Sequence, residues 1–488
     1  MKAAFIVAAS ILALAAPPSA PAAETRPGLK ACRLQGVEHD AFCGSVRRPL
    51  DPTKPDDTQI DVHFAVLPAL ARNRRPDPVL FFAGGPGQSA IEIAASVGRL
   101  LARLGNRRDI VLVDQRGTGR SAPLACEAEA PTRPLAESAD PARAVARLRD
   151  CRARLQALPH GDLRQYTTAI AMQDADAVRL ALGVTQVNVI GGSYGTRAAL
   201  DYMRQFPQAV RRAVIDGVAP PDMALPGSFS TDNQAALDAL LAACEADEPC
   251  RARYPALRTD WQRLLAGLPR EVTVAHPVTG RAEKLTLTRD LLLGLVRQPL
   301  YAPVRASALP LAIGEAAGGR FEALMGLAAS PTGGRAGQLA EGMHFSVICA
   351  EDLPRLADAT DKPGADFGDS FAAVYRQVCD GWPRGEVSAD FYRVPPTPVA
   401  TLILSGGADP VTPPRHGERV ARLLGAKARH VVVAQAGHGV MGLVCMRDVL
   451  FRFIDAESDE AALKVDADCA RAVPRPSAFV PVSAQAAK

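Results

Sequence analysis

The sequence predicts an α/β protein: a mostly parallel, doubly wound sheet carrying a mostly helical insertion. Three observations carry that expectation. Short runs that are apolar almost throughout, at residues 79–82, 110–113, 187–190 and 213–215, each lead into a turn bearing glycine or aspartate. Such runs fit parallel strands buried on both faces. Helical patterns lie between them, for instance over about 169–182, opened by Thr167 or Thr168 and stopped by Gly183. Strand and helix in alternation imply a parallel sheet. From about residue 220 to 396 helical stretches dominate, at 231–246, 288–300, 307–329 and 370–379, with a hairpin around Val278-Thr279-Gly280. The α/β pattern then resumes at 399–404 and 430–433.

The chain of 488 residues is 48% hydrophobic and 22% charged, enough for a large core and for more than one domain. Its formal charge of +4 comes without a basic run, which argues against a nucleic-acid partner. Lys2, an apolar stretch over 3–16 and Ala20-Pro21-Ala22 read as a signal peptide over 1–22, cleaved after Ala22 or Ala23. No later apolar run is long enough to span a bilayer, so no stable membrane anchor is expected and the mature chain is read as periplasmic or secreted. Ten cysteines agree with export, where an even count favours disulfides. Their spacing suggests pairing in order, Cys32 with Cys43, Cys126 with Cys151, Cys244 with Cys250, Cys349 with Cys379 and Cys445 with Cys469, although spacing alone does not fix connectivity. No C-x-x-C pair and no histidine pair at zinc spacing occurs. Neither a metal nor a cofactor is expected.

Before the first apolar run, residues 32–50 read as irregular. Ile60, Val62, Phe64 and Val66 then alternate with Asp61, His63 and Ala65, the pattern of a half-exposed antiparallel strand at a sheet edge. The run at 187–190 enters Gly191-Gly192-Ser193-Tyr194-Gly195, and a helical pattern follows with Ala198, Ala199, Tyr202, Met203 and Phe206 on one face. Strand, sharp turn and helix with a serine at the apex is the setting in which Gly-x-Ser-x-Gly presents a nucleophile. A serine nucleophile needs a base, and the base needs an orienting acid. Of eight histidines, His438 lies just past the last core strand between Gly437 and Gly439, where the backbone can bend. Asp409 also follows a core strand, in Asp409-Pro410-Val411-Thr412-Pro413, with Asp216 as its rival. The order Ser193, Asp409, His438 is that of an α/β-hydrolase. The backbone N–H of Tyr194 supplies one oxyanion donor, and the loop Gly84-Gly85-Pro86-Gly87 the other, with Gly85 ahead of Gly84.

Together these motifs resemble the prolyl aminopeptidase and tripeptidyl aminopeptidase-like family of α/β-hydrolases, in its exported, disulfide-containing branch. Gly84-Gly85-Pro86-Gly87 is similar to the end of that family's His-Gly-Gly-Pro-Gly signature, with Ala83 where many relatives have histidine. Asp114-Gln115-Arg116-Gly117-Thr118-Gly119-Arg120-Ser121 resembles its Asp-Gln-Arg-Gly-x-Gly-x-Ser block, and the segments around Ser193, Asp409 and His438 resemble its elbow, acid and base. The cysteines and Trp382 fall where that branch tends to have them. The resemblance implies hydrolysis of small peptides from the N-terminus, or of related amides and esters. It also implies carboxylates on the cap that receive the substrate ammonium by charge-assisted hydrogen bonds; Glu351 and Asp352 after Cys349, with Glu341 nearby, are the expected ones.

The expected organisation is a signal peptide over 1–22, a first core part over 23–219, a helical cap over 220–396 and a second core part over 397–488. The expected activity is that of a peptidase, with an esterase or amidase on small hydrophobic compounds as the alternative enzyme. A catalytically inactive hydrolase fold used for binding is the alternative of another class.

Overall fold

The structure, a computed structural model, describes residues 28–328, 338–358 and 360–481. The expected signal peptide and the last residue of the helix expected over 307–329 lie outside the described residues.

Strands are numbered in chain order: β1 Lys30–Cys32, β2 Ala41–Pro49, β3 Gln59–Leu67, β4 Val79–Phe82, β5 Ile110–Val113, β6 Val187–Gly192, β7 Val210–Asp216, β8 Arg270–Ala275, β9 Ala282–Leu287, β10 Ala400–Gly406 and β11 Ala428–Val433. Nine of them form one sheet in the order β1-β2-β3-β5-β4-β6-β7-β10-β11, and β8 with β9 makes a separate antiparallel hairpin. Pairing is antiparallel from β1 through β3 to β5, and parallel from β5 to β11. The runs of β4 and β5 are buried at every residue, as strands covered on both faces must be.

The strand expected at the edge is interior. β3 sits between β2 and β5, and the edge belongs to β1 and β2. The stretch forming them read as irregular because Gly44, two arginines and Pro49 interrupt any alternation in β2. What places it is pairing with β3 and the Cys32–Cys43 bridge, both non-local.

Chain order reverses across β4, whose neighbours are β5 on one side and β6 on the other. In open α/β sheets the crevice at the C-terminal ends of strands beside such a reversal is where ligands bind. Here those ends carry Ala83 to Gly87 and the turn holding Ser193.

The insertion is not one body. Helices Gly227–Ala246, Leu257–Ala266, Arg289–Leu300, Leu309–Ala317 and Glu322–Ala328, with the β8–β9 hairpin, pack around Trp261, Leu292, Val296, Ile313 and Phe321 in an apolar cluster of their own. Of the following part, Phe367 returns to this cluster, while the segments around Cys349 and Cys379 pack elsewhere. Met343, Val347, Cys349, Cys379 and Trp382 join the main-sheet cluster beside Tyr194 and Leu155. The single helix expected over 307–329 is broken at Gly318-Gly319, where Gly319 takes φ +89°.

All five disulfides join the cysteines in sequence order, with Cα–Cα separations from 5.1 to 6.2 Å. No described helix is long and apolar enough to cross a membrane.

Candidate active site

The turn after β6 holds Ser193 at φ 55°, ψ −126°, a conformation costing a non-glycine residue on the order of 1–3 kcal/mol. Close packing enforces it. A Cβ at Gly191 would collide with the Gly195 carbonyl oxygen, and one at Gly195 with that of Phe82. Strand and helix therefore cross within backbone contact, and the serine is lifted between them. Ser193 N donates to Asp216 O at 2.9 Å, tying the turn to the end of β7. Helix Tyr194–Gln205 begins at the next residue, so its N-terminus faces the space above Ser193.

Asp409 and His438 meet where β10 and β11 end. His438 Nδ1 lies 2.8 Å from Asp409 Oδ2. Asp409 is buried, and its Oδ1 accepts from Val411 N and Thr412 N, each at 2.9 Å. Thr412 was not foreseen. Its hydroxyl donates to Asp409 Oδ2 at 2.7 Å and lies 3.0 Å from His438 Nδ1, so it brackets the pair. Burial alone would raise the Asp409 pKa, but the His438 charge and the hydrogen bonds from His438, Thr412 and Val411 outweigh it and the net direction is down. For His438, burial lowers the pKa and Asp409 more than reverses this, so the net direction is up. Tyr301 completes the setting: its carbonyl accepts from His438 N at 2.9 Å and its ring meets the imidazole edge-on at 5.3 Å.

Asp216, the rival acid, is buried at the end of β7. Its Oδ2 accepts from Met441 N at 2.8 Å while Oδ1 has no partner among the described residues. Burial pushes its pKa up to about 6. It therefore holds the loop after His438 rather than the imidazole.

Gly84 packs against the elbow, since a Cβ there would lie 3.3 Å from Gly192 O. Its N–H is directed at Gln88 Oε1 at 3.3 Å. Gly85 follows at φ +112°, and the Tyr194 N–H, at the first helical position, is one of the donors that a helix start leaves without an intrahelical partner. His344, half-buried between Pro86 O at 3.1 Å and the Tyr375 hydroxyl at 3.0 Å, braces this loop from behind.

The acids expected to receive an ammonium each have partners inside the protein, and two of them, Glu351 and Asp352, are buried. Asp352 is buried and forks onto Arg197, with both N–O distances 2.9 Å, and also accepts from Leu225 N. Glu351 is buried, accepts from Thr168 N at 2.6 Å and Thr168 Oγ1 at 2.9 Å, and lies 3.4 Å from Arg197. Burial pushes the Glu351 pKa up to about 7. Glu341 is half-buried and paired bidentately with Arg147 at 2.6 and 2.7 Å. Arg197 belongs to the helix that starts behind Ser193, so the Glu351–Arg197–Asp352 cluster clamps that helix to the π-helical turn Ile348–Asp352. Asp352→Asn leaves Arg197 buried without its forked partner. Loss of one member of a buried pair costs about 3–5 kcal/mol; the low end is expected, because Glu351 can ionise fully in response. Urea unfolding of the variant against wild type measures it.

Comparison with known proteins agrees with this architecture. Residues 77–243 match the family described as alpha/beta hydrolase fold, and residues 365–465 the family described as TAP-like protein. The chain has the α/β-hydrolase fold with a TAP-like segment. Among curated relatives, this chain is 33% identical over 195 residues to the tripeptidyl aminopeptidase of Streptomyces lividans, covering 37% of this chain and 35% of that one. It is 30% identical over 197 residues to the serine protease Hip1 of Mycobacterium tuberculosis, covering 37% and 36%. The matched stretch thus spans about a third of either relative. A longer match, 29% over 423 residues, joins it to carboxylesterase B of M. tuberculosis and covers 79% of this chain and 78% of that one. Among solved structures, proline iminopeptidase of Mycobacterium smegmatis superposes over 87% of this chain and all of its own, at 14% identity and a TM-score of 0.41, too remote to bear on function.

Proposed function

We propose that this chain is an exported serine peptidase that releases N-terminal residues or short peptides through an acyl-enzyme formed on Ser193. The observation that carries the reading is the strained Ser193 elbow together with the Asp409-held imidazole of His438 at the C-terminal ends of neighbouring strands. In this reading Asp409 accepts the Nδ1 proton of His438, leaving Nε2 as the base that takes the Ser193 proton as Oγ attacks the scissile carbonyl. Tyr194 N–H and Gly85 N–H receive the developing oxyanion. The imidazolium then protonates the departing amine, and water, activated by the same imidazole, releases the acyl group. The five disulfides support export, since such bonds persist in oxidising compartments.

A carboxylesterase is the second reading. It is favoured by the length of the carboxylesterase B match and by the burial of Glu351 and Asp352, which leaves neither for a substrate ammonium. A panel of aminoacyl and tripeptidyl nitroanilides, each with a free and a blocked N-terminus, beside nitrophenyl esters, separates the two. The peptidase reading expects the free-amine anilides to be turned over and the blocked ones to be poor. Turnover of esters alone moves the enzyme to the second reading.

The pH profile follows from the histidine. Only neutral imidazole acts as the base, and its pKa is raised here. The acidic limb of kcat/KM should therefore fall off above the ordinary imidazole value of about 6.5, not at or below it. A limb centred below that value, with chemistry limiting, contradicts the Asp409–His438 pairing.

A further inference from the structure

On the cap side of His438 stands a cation that the mechanism does not use. Arg297, on the helix Arg289–Leu300, donates from Nη2 to the Tyr301 hydroxyl at 2.8 Å. Tyr301 is the residue whose ring and carbonyl hold His438, so the guanidinium is one aromatic ring away from the imidazole and acts on its charge. Three rings wall it in: Phe371 at 5.1 Å, Phe229 at 5.3 Å and Tyr301 at 5.5 Å from the guanidinium carbon. Arg297 and all three rings are half-buried, so this box is partly open.

Aromatic faces offer a guanidinium no hydrogen-bond acceptors. Of its five N–H donors, the Tyr301 hydroxyl takes one, and Nε is out of solvent with no partner among the described residues. No described carboxylate forms an ion pair with it. The buried arginines Arg197, Arg116 and Arg108 differ, since each meets an aspartate. A cation whose walls lower the local dielectric and whose hydrogen-bonding edge is unfilled strongly favours an incoming anion, and the planar fork favours a carboxylate.

We infer that Arg297 is a carboxylate receptor and that the substrates of this site carry a carboxylate near the scissile bond. The inference rests on the reading of Ser193 as nucleophile. It narrows the substrate class to short peptides that present either a free C-terminus or an acidic side chain to the cap. A peptide a few residues long then has its reacting carbonyl at Ser193 and its negative end in the Phe229–Tyr301–Phe371 box. The competing role for Arg297 is a cation–π pillar joining three cap segments.

The test uses matched pairs on the full mature enzyme. One arm compares trialanine with its C-terminal amide. A second compares C-terminally amidated peptides with Asp or Glu against the same peptides with Asn or Gln. A third compares the p-nitrophenyl half-ester of succinic acid with its methyl-capped counterpart. In wild type at least one acid member should exceed its neutral partner roughly ten- to hundredfold in kcat/KM, the usual worth of a charge-assisted bond. Which arm responds identifies the source of the carboxylate. In Arg297→Gln the acid-to-neutral ratio should fall to near one, and in Arg297→Lys, which keeps the charge and loses the fork, it should be intermediate. A wild-type ratio near one in all arms overturns the inference whatever the variants do. So does a ratio that survives in Arg297→Gln, including the case where both members lose activity together, which marks a pillar. If peptides are not cleaved but the ester arm shows the Arg297-dependent ratio, the peptidase reading falls and the receptor stands. If no arm shows turnover that Ser193→Ala removes, the nucleophile reading falls and the inference falls with it.

Discussion

Ser193→Ala should reduce kcat by several powers of ten, on the order of 10⁵ to 10⁶ by comparison with other serine nucleophiles, while the fold survives. Survival is expected because Ser193 Oγ makes no hydrogen bond among the described residues, and the backbone bond from Ser193 N to Asp216 O does not depend on the side chain. Alanine also keeps the Cβ that already tolerates the strained turn, so relief of strain is not a confounding factor. Thermal unfolding should move little, and covalent labelling by a fluorophosphonate should disappear. A purified variant that still turns over substrate near the wild-type rate would remove Ser193 as the nucleophile and return the site to the binding-protein reading.

The elbow was legible because its constraints are local. Two glycines flank a serine between an apolar run and a helical one, and the crossing of that strand and helix demands those glycines at backbone contact. The ends of β7 and β10 were legible for the same reason, as short apolar runs that stop in aspartate or glycine, and the run of β11 is followed within four residues by Gly437. The remainder of the site depends on partners far apart in the chain. Glu351 and Asp352 follow a bridged cysteine and look like surface acids, but their neighbour is Arg197, more than 150 residues earlier. Only the packing of Ile348–Asp352 against the elbow helix decides that they are buried. Arg297 likewise sits in an unremarkable stretch of amphipathic helix, and the rings that enclose it come from three separate segments. Thr412 had a readable signal. A hydroxyl three residues after an aspartate, ahead of a proline, is placed to close a turn back onto that carboxylate, and the structure uses it so.

Asp409→Asn and Asp216→Asn are expected to separate sharply, although both aspartates end neighbouring strands. At Asp409 an amide would present either its oxygen or its NH2 to His438. With the NH2 toward Nδ1, the imidazole is forced to keep its proton on Nε2, the tautomer that cannot accept from Ser193; in a comparable triad this costs about 10⁴ in kcat. With the oxygen toward Nδ1, the NH2 is driven against Val411 N–H and Thr412 N–H, which now point at Oδ1 from 2.9 Å, so donor meets donor. Either orientation also removes the negative charge that raises the histidine pKa, so residual activity should extend to lower pH than in wild type. Asp216 is different. Its side chain accepts from backbone N–H of the loop after His438, Met441 N above all, which an asparagine oxygen can also do, and burial already pushes its carboxyl toward the neutral form. Asp216→Asn should therefore keep kcat within about tenfold of wild type, a loss of no more than ~1.4 kcal/mol in barrier. Steady-state kinetics on both folded variants with one substrate decide the matter. If Asp216→Asn is the more damaging change and its unfolding midpoint matches wild type, the acid of the triad is Asp216, and the close contact between Asp409 and His438 is structural.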